Sequence, residues 1–334
     1  MVNSKKINIG ISIGDPNGIG IEIILKTLSD RNLYKECNFI VYSSEDLIKK
    51  QQDFFKIKTV PIKKIHSVNE ANDDFINIKE VFTDSKFEFG KNDRDVSEMG
   101  IISFKEAVND SIKGEIDVLV TAPINKELSY SNTFKYSGHT DYLKNILHED
   151  PMMLMVSKNL KLGLLTEHIP LRDVVKEITT KKVIKKINTL RETLRKDFLI
   201  KHPKIAILAI NPHAGDNGVI GSEDQEVLMP AIAANNKNKH LTYGPFSADT
   251  FFSDENFKKY DGIIAAYHDQ GLIPFKTMSF GKGVNYSAGL PIIRTSPDHG
   301  TGFDIAGKGI ASSTSFLQAI KVGVNIYKSR NTIV

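Results

Sequence analysis

The sequence predicts an α/β protein built on a largely parallel sheet. Three observations point there. Apolar, β-branched runs recur along the chain, and their apolarity is continuous rather than alternating, as in strands buried on both faces. Each run is followed by a turn and a helix-like segment, the alternation that builds parallel sheets. The chain has 334 residues, 40% of them hydrophobic, enough for a large core and for two domains.

The first element is "ISIGDPNGIGIEIILKTL", Ile11 to Leu28: strand, glycine turn, helix. It has the look of a dinucleotide fingerprint and fails it. After Gly18 and Gly20, the position that needs the third glycine holds Ile23. It reads as an opening strand–turn–helix, with Glu22 favourably placed near the helix start. "NFIVYSS" from Asn38 is a second strand. From about Pro61 to Gly100 the chain is polar and irregular, which reads as connecting structure or a surface excursion. "IDVLVTAP" from Ile116, "LKLGLLTEH" from Leu160, "KIAILAINPH" from Lys204 and "DGIIAAYHD" from Asp261 are further strands. Between them, Lys181 to Lys196 places Val183, Ile184, Ile187, Leu190 and Leu194 at helical spacing, an amphipathic helix with a solvated basic face.

Three of these strands end on a histidine. "LLTEH" ends at His168, "LAINPH" at His213, and "AAYHD" at His268 and Asp269. Ligands of open parallel sheets bind beyond the carboxyl ends of the strands. Neutral imidazole is a common ligand for divalent transition metals. Three of them, with Asp249 or Asp269 nearby, suit one ion with positions left for substrate. Any single histidine is more often a hydrogen-bonded structural residue; three at equivalent strand ends shift that balance. His66, His148, His202 and His240 sit in polar or loop contexts and read as surface residues.

Anion-binding candidates follow. In "SGHTDYL", Ser137 to Leu143, Gly138, His139 and Thr140 precede a helix-like run, the make-up of a phosphate site at a helix start; a plain N-cap by Thr140 with Asp141 in the first turn is the simpler reading. "HDQGLIPFK" brings Lys276, and "GKGVNYSAGLPIIRTS" brings Asn285 and Arg294, in a Gly- and Pro-dense stretch that reads as shaped loops. Arg grips carboxylate or phosphate bidentately, whereas Lys is a point charge that also transfers protons. "SPDHGTGFDIAGKGIASS", Ser296 to Ser313, is the second Gly-rich segment. Glycine lets backbone approach a ligand, and Asp304 suits ribose hydroxyls. Its "GKG" is not a P-loop, because the spacer and following Ser/Thr are missing.

The bulk numbers exclude several classes. The net charge of +4 is mild, and no aromatic residues interleave with the basic helix, so nucleic acid is not expected as a partner. No run approaches the ~18 apolar residues of a membrane span. One cysteine, Cys37, forms no intrachain disulfide and reads as structural. With no leader-like start, a cytoplasmic location is expected.

Taken together, "GDPNGIGIE", "TAPINKE", "SGHTDYL", "TEHIPL", "NPHAGDNG", "GPFSADTFF", "YHDQGLIPFK" and "GVNYSAGLPIIRTSPDHGTGFDIAGKG" make the chain resemble the 4-hydroxythreonine-4-phosphate dehydrogenase family of vitamin B6 biosynthesis. The motifs run in family order over nearly the whole chain. The resemblance implies an isocitrate/isopropylmalate-dehydrogenase-like fold of two α/β/α domains with a central cleft. The terminal, cofactor-side domain would be 1–125 plus 282–334, and the central one 126–281. It also implies a homodimer with an active site shared between subunits. His168, His213 and His268 match the family's ligands for one divalent ion (Zn, Mg or Co), shared across that dimer. His139, Thr140, Lys276, Asn285 and Arg294 match its substrate-binding residues, with Lys276 the expected catalytic proton-transfer group. The loop carrying His299, Gly300, Thr301, Gly302 and Asp304 is similar to the cofactor loop of related β-decarboxylating dehydrogenases, for NAD or NADP. The implied reaction is oxidation of 4-phosphooxy-L-threonine to 2-amino-3-oxo-4-phosphooxybutanoate, which decarboxylates to 3-amino-2-oxopropyl phosphate. The same residues would serve a threonate or erythronate 4-phosphate. Phosphate acyltransferases share the fold without needing a metal, and the three strand-end histidines argue against them. The chain departs from the pattern at Ser247, where Pro is common, at Asn17, where Ala is common, and at Phe303, where a small residue is usual and a changed cofactor pocket is expected.

Overall fold

The computed structural model describes residues 6–131, 133–237, 240–253 and 255–332. In chain order the elements are β1 (Ile7–Ser12), α1 (Gly20–Leu28), β2 (Cys37–Ser43), α2 (Glu45–Phe55), β3 (Ile62–Ile65), β4 (Ile76–Glu80), α3 (Arg94–Ile112), β5 (Val118–Thr121), α4 (Lys126–Ser129) and α5 (His139–Leu147). They continue with β6 (Met152–Val156), β7 (Lys161–Leu164), α6 (Val174–Glu177), α7 (Thr180–Lys196), β8 (Lys204–Leu208), α8 (Met229–Asn236), β9 (Leu241–Phe246), α9 (Ala248–Phe251), β10 (Gly262–Ala265), α10 (His268–Ser279), β11 (Val284–Ala288), β12 (Arg294–Pro297) and α11 (Thr314–Thr332). All six strands read from the sequence are present, and the continuous apolar runs are buried strands, as Ile9, Ile11, Phe39, Val118, Leu162, Ile207 and Ile263 show.

The chain divides into two compact units, 1–149 with 291–327 and 150–290 with 328–334. These crossings lie later than 125/126 and 281/282. At the first crossing, the His139 ring at the start of α5 packs against Phe104 of α3, ring centroids 4.3 Å apart, which ties 126–149 to the first unit.

In the first unit the strand order is β3-β4-β2-β1-β5-β12, and every pairing is parallel. The stretch from Pro61 to Gly100 is therefore not merely an excursion. It supplies β3 and β4 and the first two turns of α3. Its strands are short, with Ile65, Ile76 and Ile78 buried among polar residues such as Lys63, Lys64, Asn77 and Lys79, so an apolar-run criterion passes over them. Cys37 opens β2 and is buried, as a structural thiol should be.

In the second unit the order is β11-β6-β7-β10-β8-β9. β7, β10, β8 and β9 run parallel, while β6 is antiparallel to both its neighbours. α7 buries Val183, Ile187, Leu190 and Leu194, the predicted apolar stripe, and each such side chain contributes roughly 1.5–3 kcal/mol. β11 and β12 overturn a second expectation: Asn285 and Arg294 sit on strands, not on shaped loops. The glycines and prolines there mark only the turns, while Tyr286, Ile292 and Ile293 between them are buried. Among the described residues no helix is long and apolar enough to cross a membrane.

Candidate active site

The first unit builds an anion pocket around Arg294. β12 and β5 are neighbours, with Arg294 opposite Leu119, so Arg294 lies near Thr121 at the end of β5. Its Nε and Nη2 donate to Thr121 Oγ1 at 3.1 and 2.6 Å, and Nη2 donates to His139 Nδ1 at 3.0 Å. Both residues are buried, Arg294 at 3% and His139 at 9% exposure. Burial pushes the guanidinium down to about 10, still cationic at neutral pH. Arginine has no acceptor, so His139 Nδ1 must be the lone-pair nitrogen and Nε2 must carry the hydrogen. Burial first, then the charges of Arg294 and Lys126, push His139 well below the ordinary histidine value. It is therefore neutral, with a buried Nε2–H that has no partner among the described residues.

That N–H stands at the start of α5, whose N-cap is Gly138 with no side-chain cap. The simpler reading of Thr140 as N-cap is thus wrong: Thr140 is inside the first turn, half-buried. A helix start, a neutral imidazole N–H and a buried guanidinium together suit a phosphate. Thr121 and Lys126 were not singled out by sequence reasoning. Their signal was the strand-end motif "TAPINKE", which is polar where strand β5 stops.

A neutral buried histidine predicts a pH effect of defined sign. Below about pH 6.5 the unfolded chain protonates this imidazole and the folded chain does not. The stability it supports is complete above that pH and is lost as pH falls below it. Urea unfolding between pH 5 and 7.5 should show His139→Asn with a flatter pH slope than the wild type; equal slopes would sink the assignment.

The second unit brings strand-end histidines together. β7 ends at Leu164, β8 at Leu208 and β10 at Ala265, and the three are adjacent and parallel in the order β7-β10-β8. Beyond their ends the exits are laced. Leu165 N donates to Ala265 O, and Thr166 donates through N and Oγ1 to Ala266 O. Gln270 accepts from Ala266 N and donates to Ala209 O, both at 2.7 Å. Gln270, unmarked in the sequence reading, therefore ties the β10 exit to the β8 exit.

The lacing sets the rings of His168 and His268 at 5.5 Å between centroids. They line a cavity of about 300 Å³ with Glu167, Tyr267 and Asp269. His268 Nδ1 is 2.7 Å from Asp269 Oδ1, the carboxylate–histidine arrangement that orients a metal-binding imidazole and leaves Nε2 for the ion.

His213 does not complete a set. Among the described residues no group of three His, Cys, Asp or Glu side chains is placed to hold an ion. The cause is local backbone. Residues 213–217 take φ of 52°, 54°, 79°, 43° and 55°, a left-handed run that only glycine adopts freely. The β8 exit is held by Asp224, which accepts from Ile210 N and Asn211 N. His213 thus leaves on a coiled turn and neighbours Asp249, whose carboxyl is held below its usual range mainly by the Ser247 hydroxyl and least by His213. The donor chemistry fits a divalent ion at His168 and His268; the three-histidine convergence is not present within one chain. Lys276 is exposed near the end of α10, and Asn285 is half-buried on β11.

The two Gly-rich loops of the first unit meet each other. Ile19 N donates to Thr301 O at 2.9 Å. A β-carbon on Gly18 would lie 2.7 Å from that carbonyl and 3.3 Å from the Phe303 ring. Gly302 has φ of 57° and packs on Ile19. Lys26 Nζ donates to Glu22 Oε1 and to the carbonyls of Gly309 and Ala311, while Ala311 N donates to Glu22 Oε1. The opening loop is thus the support on which the 299–309 loop rests.

The Asn17 departure is structural. Asn17 accepts from Glu88 N through its side chain and from Gly90 N through its carbonyl, and donates to Lys91 O. It staples 88–91 beside Phe303. His299 Nδ1 donates to Gly300 O at 3.0 Å, and its buried Nε2 has no partner among the described residues. With the exposed carboxylate of Asp304, this fits the hydroxyl and amino donors of a dinucleotide.

Gly18→Ala should therefore strain the loop junction and cost roughly 1–3 kcal/mol in thermal unfolding. Gly300→Ala, with nothing within 4 Å of its added carbon, should leave folding unchanged. Equal stability of the two variants would contradict the support role.

Comparison with known proteins gives the family and the fold. The sequence profile of the pyridoxal phosphate biosynthetic protein PdxA matches residues 35–323. A 4-hydroxythreonine-4-phosphate dehydrogenase of Bacteroides thetaiotaomicron is 39% identical, over 98% of this chain and 91% of the relative. A relative from Clostridium botulinum, 34% identical over 96% of both chains, is named for D-threonate 4-phosphate dehydrogenase activity. The crystal structure of 4-hydroxythreonine-4-phosphate dehydrogenase from Klebsiella pneumoniae superposes with a TM-score of 0.84 at 31% identity, covering 97% of this chain and 98% of that one. Isocitrate dehydrogenase of Methylococcus capsulatus, at 13% identity and a TM-score of 0.50, covering 97% of this chain and 87% of that one, shares the fold.

Proposed function

The chain belongs to the PdxA family of pyridoxal phosphate biosynthetic proteins, and on that premise we propose that it oxidises 4-phosphooxy-L-threonine with NAD or NADP. The observation that carries the proposal is the anion pocket of Arg294, neutral His139 and the uncapped start of α5. It suits the phosphate of a small phosphorylated substrate, with Thr140 adding a hydroxyl donor.

The reaction balances simply. The C3 hydrogen leaves as hydride to the nicotinamide ring, and the hydroxyl proton goes to a base. The product, 2-amino-3-oxo-4-phosphooxybutanoate, is a β-keto acid. Its C1–C2 bond breaks, the electron pair passes to the enol form, and a proton returns to C2, giving carbon dioxide and 3-amino-2-oxopropyl phosphate. Lys276 is the proposed proton-transfer group, since a lysine is tuned readily by its surroundings. Asn285 is proposed as a polar contact to the substrate. His299, Gly300, Thr301, Gly302 and Asp304 are proposed to hold the dinucleotide, with Asp304 and His299 Nε2 accepting from its hydroxyl or amino groups.

His168 and His268 are proposed as ligands of one divalent ion, with a third imidazole, His213, supplied across a homodimer. A bound ion would supply a positive charge to polarise the alcohol oxygen. The second unit leaves large apolar side chains exposed, including Leu171, Val219, Ile273 and Phe280, which a partner subunit would cover. A cytoplasmic location is proposed as well, the compartment where a lone reduced cysteine is ordinary.

NADH formation followed with 4-phosphooxy-L-threonine and with D-threonate 4-phosphate tests the proposal. A preference of at least about tenfold, some 1.4 kcal/mol, is expected for the former. Turnover of the threonate phosphate alone would move the chain to the other substrate.

A further inference from the structure

The pocket at α5 contains a cation that the roles assigned above leave unused. Lys126 opens α4, and its backbone direction is fixed by Asn125, whose side chain accepts from Glu127 N and Leu128 N at 3.1 and 3.2 Å. The lysine stem runs beside the N-cap of α5. A β-carbon on Gly138 would lie 3.6 Å from Lys126 Cε, and no other atom comes within 4 Å of it. Lys126 is exposed and forms no ion pair among the described residues. Its charge is nonetheless felt at His139, which it helps to hold neutral.

We propose that Lys126 is a direct phosphate ligand that supplies the second positive charge at this pocket. The charge count requires one. A phosphate monoester carries about −1.5 to −2 at neutral pH. His139 is neutral and contributes a hydrogen bond without charge. Arg294 contributes one positive charge, and its Nε and Nη2 are committed to Thr121 and His139. Two cations, a neutral N–H donor and an uncapped helix start together balance a dianion. Without the anion, Arg294 and Lys126 face the same imidazole as like charges, an arrangement that a bound phosphate relieves. Lysine suits this place because its flexible stem carries a point charge in from the solvent side, whereas Arg294 is fixed in the interior.

The inference rests on the dehydrogenase reading and deepens it, so its test needs an arm that does not depend on turnover. With the full-length chain, calorimetric binding of inorganic phosphate is measured for the wild type, Lys126→Gln and Lys126→Arg. Alongside it, kcat and KM are measured for 4-phosphooxy-L-threonine. Lys126→Gln should weaken phosphate binding and raise KM about 10- to 100-fold, the size of one charged hydrogen bond, with kcat within about threefold. Lys126→Arg should stay within about fivefold of the wild type, because it keeps the charge. An exposed lysine leaves the fold intact, and unchanged thermal unfolding checks this. If Lys126→Gln binds phosphate as the wild type does, the inference is overturned. If the wild type fails to oxidise the substrate while phosphate binding still falls in Lys126→Gln, the site stands and the substrate assignment falls.

Discussion

Arg294→Gln is expected to lower kcat/KM for the phosphorylated substrate about 10³-fold, mostly through KM. Three losses combine. The cation of the proposed phosphate pocket goes, and a charged hydrogen bond of this kind is worth roughly 1.5–3 kcal/mol. His139 Nδ1 and Thr121 Oγ1 lose their donor in a buried setting, where an unpaired polar atom costs about 1–3 kcal/mol. The tautomer of His139 is then no longer fixed, so its Nε2–H is lost as an assured donor. Arg294→Lys should recover little, since an ammonium group cannot reproduce the fork that spans Thr121 and His139. Steady-state kinetics read the outcome. A loss of less than about tenfold would mean that the phosphate is bound elsewhere.

His268→Ala is expected to lower kcat about 10³-fold and to abolish tight binding of a divalent ion. An ion that polarises a reacting oxygen supplies several kcal/mol of charge stabilisation, and His268 is the imidazole that Asp269 orients. Asp269→Asn should weaken ion affinity by about 10- to 100-fold while keeping the ligand. His148→Ala, at an exposed position, is the control. Elemental analysis after dialysis gives the ion content directly, and a chelator should stop the wild type until a divalent ion is returned. Wild-type ion content in His268→Ala would remove His268 from the ligand set.

The architecture was largely legible because buried parallel strands announce themselves as unbroken apolar runs. Ile7–Ser12, Val118–Thr121 and Gly262–Ala265 need no context to be recognised. β3 and β4 were not legible, because an edge strand such as "IKKI" carries its burial on few residues and its charge on the rest. β11 and β12 were hidden by the glycines and prolines of their turns.

The site shows the same division. Three histidines at strand ends could be read from the sequence, and β7, β10 and β8 prove to be neighbours. That only His168 and His268 meet could not be read. It depends on the lacing through Gln270 and on the left-handed turn at 213–217, which are tertiary facts. The opening glycine loop is the clearest case. Its letters exclude a pyrophosphate grip, but its role as the seat of the 299–309 loop appears only when Gly18 is found against Thr301.

The most direct test of the central claim uses 4-phosphooxy-L-threonine labelled with carbon-13 at the carboxyl carbon. NADH is followed by absorbance and labelled carbon dioxide by mass spectrometry in the same reaction. The proposed oxidation and decarboxylation predict one NADH and one labelled carbon dioxide per substrate consumed, with 3-amino-2-oxopropyl phosphate as the organic product. No NADH from this substrate under conditions where D-threonate 4-phosphate is oxidised would contradict it.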